Sequence, residues 1–176
     1  MAKKSETTAP RVIGELVDKF GEHRETYRRV GYNEQQLRQD FLDPFFETLG
    51  WDVKNEQGFA EAYRDVILEQ ALRVEKSVRA PDYCFRVGGT AKFFVEAKKP
   101  AVDVKSDVSP AFQLRRYAWT AKLPLSILTD FEEFAVYDCR DDLGVGILSL
   151  ADADRQPVVY NRPELGYAVA SPRAIA

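Results

Sequence analysis

The chain has 176 residues, 45% of them hydrophobic and 12% aromatic, which excludes a disordered protein and suffices for one domain with its own core. A formal net charge of −3 excludes a wholesale basic nucleic-acid binder, and no apolar run approaches the roughly 18 residues of a membrane span. The single His23 excludes a zinc site built on several imidazoles. Met1 to Ser5 lack the apolar segment of a signal peptide, so a cytoplasmic protein with no membrane partner is expected, its Cys84 and Cys139 reduced.

From Pro10, the residues Val12, Ile13, Leu16, Val17 and Phe20 repeat at helical spacing and predict a first amphipathic helix. Asn33 reads as an N-cap, with Glu34 in the first turn that follows. Leu37, Phe41, Phe45 and Leu49 then recur at four-residue steps until Gly50 stops the helix. Pro44 lies inside this stretch and predicts a kink or a shorter helix. Trp51 to Val53 reads as a short strand and Tyr63 to Leu68 as another. Pro81 to Val87 and Ala91 to Ala97 read as two strands around Gly88-Gly89. Ser109-Pro110 opens a helix ending near Lys122, and Leu125 to Leu128 and Phe134 to Asp138 are further strands flanking an acidic turn. This order predicts an α/β fold with a mixed central sheet flanked by helices. Residues 142–176 carry no pattern that assigns an element.

Charge is unevenly spread along this plan. Residues 31–75 hold 4 Lys+Arg against 10 Asp+Glu, whereas residues 76–122 hold 10 against 4. A solvated face and a local anion site both account for such a cluster.

The informative stretch is the hairpin from Pro81 to Lys98. Alternation places Lys92, Phe94, Glu96 and Lys98 on one face of the second strand and Phe93, Val95 and Ala97 on the other. A two-residue turn at Gly88-Gly89 pairs Asp82 with Val95 and sets Phe85 against Lys92. A three-residue loop, Gly88 to Thr90, pairs Asp82 with Glu96, Phe85 with Phe93 and Tyr83 with Val95. The second register gives an unbroken apolar face, so the hydrophobic pattern selects it. It brings two carboxylates and Lys98 together. Converging carboxylates repel unless a cation lies between them, and an all-oxygen donor set suits Mg²⁺ or Mn²⁺. An ordinary strand-end salt bridge between Glu96 and Lys98 accounts for the same residues by geometry alone.

Pro81-Asp82 followed by Glu96-Ala97-Lys98 resembles the PD-(D/E)xK nuclease motif. Asn33-Glu34-Gln35-Gln36-Leu37-Arg38, Phe41-Leu42-Asp43-Pro44 and Leu49-Gly50-Trp51 resemble the opening of the N-terminal nuclease domain of type IIG and type I restriction enzymes. Gln113-Leu114-Arg115-Arg116-Tyr117 is similar to the QxxxY helix that accompanies the motif. The resemblance implies a restriction-endonuclease-like αβββαβ core over residues 31–140, after an N-terminal helical extension (1–30) and before a C-terminal tail (141–176). It implies a Mg²⁺-dependent endodeoxyribonuclease, with Mn²⁺ able to substitute, acting on DNA as the cleavage module of a restriction-modification system. Asp82, Glu96 and Lys98 are then the catalytic residues, and Asp82, Glu96, the Ala97 carbonyl and Glu34 surround the metal. Gln113 and Tyr117, one helical turn apart, orient toward the site or the DNA, and Lys99, Arg115 and Arg116 meet phosphates. Methyltransferase and target-recognition parts are the implied partners, and no stretch of this chain resembles either. A non-catalytic DNA-binding module working with a partner chain, and a repair or junction nuclease of the same fold, are the alternatives.

Overall fold

The computed structural model describes residues 10–69, 72–74, 77–104, 108–139 and 144–149. The first amphipathic pattern forms α1 (Arg11–Glu22), which buries Leu16 and Phe20, and a single turn, α2 (Arg24–Tyr27), follows. Asn33 caps the next helix as expected: its side chain accepts the Gln36 amide, and the Gln36 side chain accepts the Asn33 amide in return.

That helix neither breaks nor shortens at Pro44. It runs as α3 (Glu34–Leu37), a π-helical segment Arg38–Leu42 and α4 (Asp43–Thr48). Pro44 has no amide hydrogen, and its ring crowds the carbonyl four residues back, at Asp40. The chain widens there, and the Asp43 amide reaches the carbonyl of Arg38, five residues back. The helix then closes on Gly50, whose φ of 96° suits a residue without Cβ. The Gly50 amide bonds the Glu47 carbonyl at 2.9 Å and the Trp51 amide bonds the Phe46 carbonyl at 3.1 Å. This closure consumes the Trp51 amide, so Trp51 and Asp52 join no sheet and a turn begins at Val53 in place of the expected strand. The Trp51 ring packs edge-on against Phe85 and Phe93.

Among the described residues the central sheet has six strands, each hydrogen-bonded to the one that follows it in the sheet. They are β1 (Val66–Leu68), β4 (Tyr83–Val87), β5 (Thr90–Ala97), β6 (Leu125–Thr129), β7 (Glu133–Asp138) and β8 (Gly144–Ser149). Among the described strands only β5 and β6 are parallel neighbours, joined through helix α5 (Val108–Thr120). A short 3₁₀ turn, Glu61–Tyr63, occupies the start of the region expected as a strand to Leu68. Two parts of the strand plan have no counterpart in the sequence pattern. One is β8, within 142–176; the other is a separate hairpin of β2 (Leu72–Val74) and β3 (Ser77–Arg79).

Alternation sorts the strands between two cores. Tyr83, Phe85, Val95, Ala97 and Ile127 pack with the α1–α4 side around Phe20, Phe41 and Phe46. Cys84, Phe94 and Leu128 face the other way, against Leu114, Tyr117 and Ala118 of α5. Cys84 and Cys139 are both buried and form no disulfide with each other, and Cys139 Sγ meets the Ser126 hydroxyl at 3.3 Å.

The β4–β5 turn corrects the expected loop. It is the two-residue turn after all: Val87 pairs with Thr90, and Gly88 and Gly89 both have positive φ, 56° and 79°. A bulge then skips Lys92, so that Arg86 pairs with Ala91 but Phe85 pairs with Phe93. The favoured turn and the apolar register are both satisfied. The Phe85 and Phe93 rings stack at 4.6 Å with an 11° tilt, and Tyr83 faces Val95. Arg86 anchors the turn by donating to the carbonyls of Gly89, Glu61 and Ala62. A Cβ on Gly89 would lie 2.8 Å from the Ala62 carbonyl oxygen. Gly89→Ala therefore destabilises the protein by about 2 kcal/mol, from the left-handed backbone and the clash together. Gly14→Ala, on the exposed side of α1 with nothing within 4 Å, stabilises it by roughly 0.5–1 kcal/mol. Urea denaturation of the two variants separates these outcomes.

Candidate functional site

The register places Asp82, one residue before β4, level with Glu96 near the end of β5, because Tyr83 pairs with Val95. Asp82 follows the buried Pro81 and is fastened at both carboxylate oxygens. Oδ2 accepts the Ala97 amide at 2.7 Å, and Oδ1 accepts Arg38 Nη1 at 2.8 Å. Glu96 accepts Lys98 Nζ on Oε1 at 2.9 Å, while its Oε2 is buried without a hydrogen-bond partner. Lys98 also lies 3.6 Å from Glu34 Oε1, so the first turn of α3 reaches the same place. Parallel pairing with β6 holds Lys98 in position, its amide donating to the Thr129 carbonyl at 2.8 Å.

These side chains are largely removed from water: the exposure of Arg38, Asp82, Glu96 and Lys98 lies between 12% and 19%. Burial pushes the Glu96 carboxyl above the ordinary carboxylate range; Lys98 opposes this and the Asp82 charge adds to it. Burial alone would lower the Lys98 ammonium, but Glu96, Glu34 and Asp82 outweigh it and hold it above the ordinary lysine value. Lys98 is thus a cation at neutral pH, suited to stabilising or orienting negative charge.

Asp82, Glu96, Ala97, Lys98 and Glu34 are brought together. Gln113 and Tyr117 meet each other, Gln113 Nε2 donating to the Tyr117 hydroxyl at 2.6 Å, with Tyr117 buried and Gln113 exposed. Lys99, Arg115 and Arg116 are half-buried. Among the described residues no three His, Cys, Asp or Glu side chains converge as a metal cage. The donor set fits a divalent ion all the same: two carboxylates lie at one strand end, one with a buried oxygen that lacks a partner.

Three participants went unassigned in the sequence reading: Arg38, Asp43 and the Tyr83 hydroxyl. Tyr83 donates to Asp43 Oδ1 at 2.6 Å, and the Arg38 guanidinium stacks 5.3 Å from the Tyr83 ring centroid. Burial raises the Asp43 carboxyl against the opposing Tyr83 bond, and the Tyr83 hydroxyl is raised mainly by burial. In an unbroken α-helix, positions five apart lie about 140° from each other around the axis. The π segment brings Arg38 and Asp43 nearer one line, and both reach β4. A proline inside a helical pattern was the available signal.

Beside this site, the buried Asp130 accepts the Glu133 amide at 2.8 Å. Burial, with Glu133 and Glu132 adding to it, pushes its carboxyl from 3.8 up to about 7. A carboxyl raised in the native state holds a proton that the unfolded chain has released. Stability is therefore lost as pH rises from 3.8 to about 7. Asp130→Asn keeps the acceptor and removes the charge. It raises unfolding free energy at pH 8 by ~2 kcal/mol and changes little at pH 4, as denaturant titrations at the two pH values would record.

A family described as the N terminus of the type I restriction enzyme R protein matches residues 65–144. The chain is 46% identical over 130 residues to the type II restriction enzyme and methyltransferase RM.Eco57I of Escherichia coli. That match takes in 73% of this chain and spans 13% of the relative's length. No solved structure matches. Among the described residues no helix is long and apolar enough to cross a membrane.

Proposed function

We propose, from its likeness to restriction enzymes, that the chain carries a nuclease domain of that class and hydrolyses DNA phosphodiester bonds with Mg²⁺, or Mn²⁺ in its place. The observation that carries this reading is the buried Glu96 Oε2 without a partner, at the strand end where Asp82 is level with it. Asp82, Glu96 and the Ala97 carbonyl would hold the ion, with Glu34 beside them. When bound, it supplies positive charge to the phosphate and lowers the pKa of an attacking water.

The chain's own groups account for the rest. Glu96 and Asp82 carry the negative charge that selects a hard divalent cation. Lys98, anchored through its amide to Thr129 and through its ammonium to Glu96, presents a fixed positive charge where negative charge develops on the phosphate. Burial of the cluster strengthens that interaction by excluding water. The basic balance of residues 76–122 favours the DNA backbone over the acidic 31–75 region, through contacts that do not depend on sequence. Intact Asp82, Glu96 and Lys98 favour catalysis over a purely binding role. The whole-length relative is named as both restriction enzyme and methyltransferase; as the cleavage part, this domain would work with methyltransferase and target-recognition parts.

Purified chain incubated with supercoiled plasmid and Mg²⁺ should nick or cut it, and a chelator should stop the reaction. Asp82→Ala, Glu96→Ala and Lys98→Ala should each reduce the rate by at least about 100-fold while thermal unfolding remains cooperative. Cleavage in chelator, or full activity in two of these variants, contradicts the proposal.

A further inference from the structure

Both oxygens of Asp82 are already engaged, one by a backbone amide and the other by Arg38. The backbone bond belongs to the fold; the guanidinium is a side-chain cation on a carboxylate that the proposed ion also needs. From this contact we infer that Arg38 is an exchangeable counter-ion: it holds Asp82 until the divalent ion enters and then yields it, turning to a phosphate oxygen of the bound DNA. The inference rests on the proposed metal-dependent cleavage and adds a device that couples metal loading to DNA.

Three features support it. First, Arg38 is posed for exchange. Its Nη1 is shared between Asp82 at 2.8 Å and the exposed Glu69 at 3.3 Å, and its plane lies over the Tyr83 ring. Tyr83 is fixed by its bond to Asp43, so the platform remains when the guanidinium swings. Second, the arginine cannot discharge to make way for the ion, because its guanidinium stays charged at all accessible pH. Two cations on one carboxylate repel, so one must leave. Third, a released guanidinium needs an anion of matching shape, and a phosphodiester accepts two parallel N–H bonds from it. Without DNA the ion competes with Arg38 for Asp82; with DNA the phosphate takes Arg38 and that competition ends.

Mn²⁺ titration of the full chain tests this by calorimetry or by the paramagnetic signal of free Mn²⁺. Arg38→Gln removes the competitor, so Mn²⁺ affinity without DNA should rise by about tenfold or more, the scale expected for losing a charged hydrogen bond. Arg38→Met, which keeps an aliphatic stem against Tyr83, should do the same and serves if the first variant fails to fold. Arg38→Lys retains the charge and should remain near the parent value. In a Lys98→Ala background, which retains both carboxylates and would not cut, a short duplex should raise Mn²⁺ affinity. Adding Arg38→Gln should abolish that rise, since linkage makes the coupling reciprocal. Unchanged or weaker Mn²⁺ binding in both Arg38→Gln and Arg38→Met overturns the inference while leaving the metal site standing. No Mn²⁺ binding to any of these proteins, parent included, overturns the metal site itself and this inference with it.

Discussion

Two carboxylates brought level near one end of a hairpin repel each other, and removing them from water sharpens that repulsion. The surroundings of Asp82 and Glu96 are organised around this constraint. Each acid has its own cation from a different part of the chain: Arg38 from the π segment for Asp82, and Lys98 from the end of β5 for Glu96. The Ala97 amide supplies a third positive dipole. One oxygen, Glu96 Oε2, remains buried without a partner. An unpartnered buried oxygen costs free energy in a structural ion pair and is an asset in a site that takes up a cation.

The fold serves that arrangement through backbone irregularities. Skipping Lys92 lets the Gly88-Gly89 turn coexist with the stacked Phe85 and Phe93, and so brings Asp82 level with Glu96. A ladder without the bulge would move Asp82 to the opposite face. Widening at Pro44 lets a single helix send both Arg38 and Asp43 to the start of β4. Parallel pairing of β5 with β6 places the Thr129 carbonyl where it fixes Lys98. Bulges and π turns are each local departures from regular geometry, and here both determine which side chains meet.

Much of this was legible from residue order. Alternation along Lys92 to Lys98 and the apolar match of Phe85 with Phe93 are enough to align Asp82 with Glu96, and Asn33 is the N-cap that its residue type announces. The turn differs from the expected loop because a uniform register forces a choice between the tight turn and the apolar match, whereas the chain combines a tight turn with a bulge. Trp51 to Val53 looked like a strand because its residues favour one, but the closure of α4 on Gly50 takes the Trp51 amide first. Arg38 and Asp82 are 44 positions apart, and their meeting depends on helix packing that no local pattern encodes. The β2–β3 hairpin is made of short strands, three residues each, below the length at which periodicity becomes visible.

Whether Asp82 and Glu96 bind a divalent ion together decides between a metal site and a structural ion-pair cluster. A crystal of the chain soaked in Mn²⁺ and measured at a wavelength where manganese scatters anomalously addresses this directly. The predicted result is one strong peak about 2.1 Å from an oxygen of each of Asp82, Glu96 and the Ala97 carbonyl, with the Arg38 guanidinium moved off Asp82. Manganese bound elsewhere with Arg38 still paired to Asp82 would contradict it, leaving the two carboxylates as members of a structural ion-pair cluster.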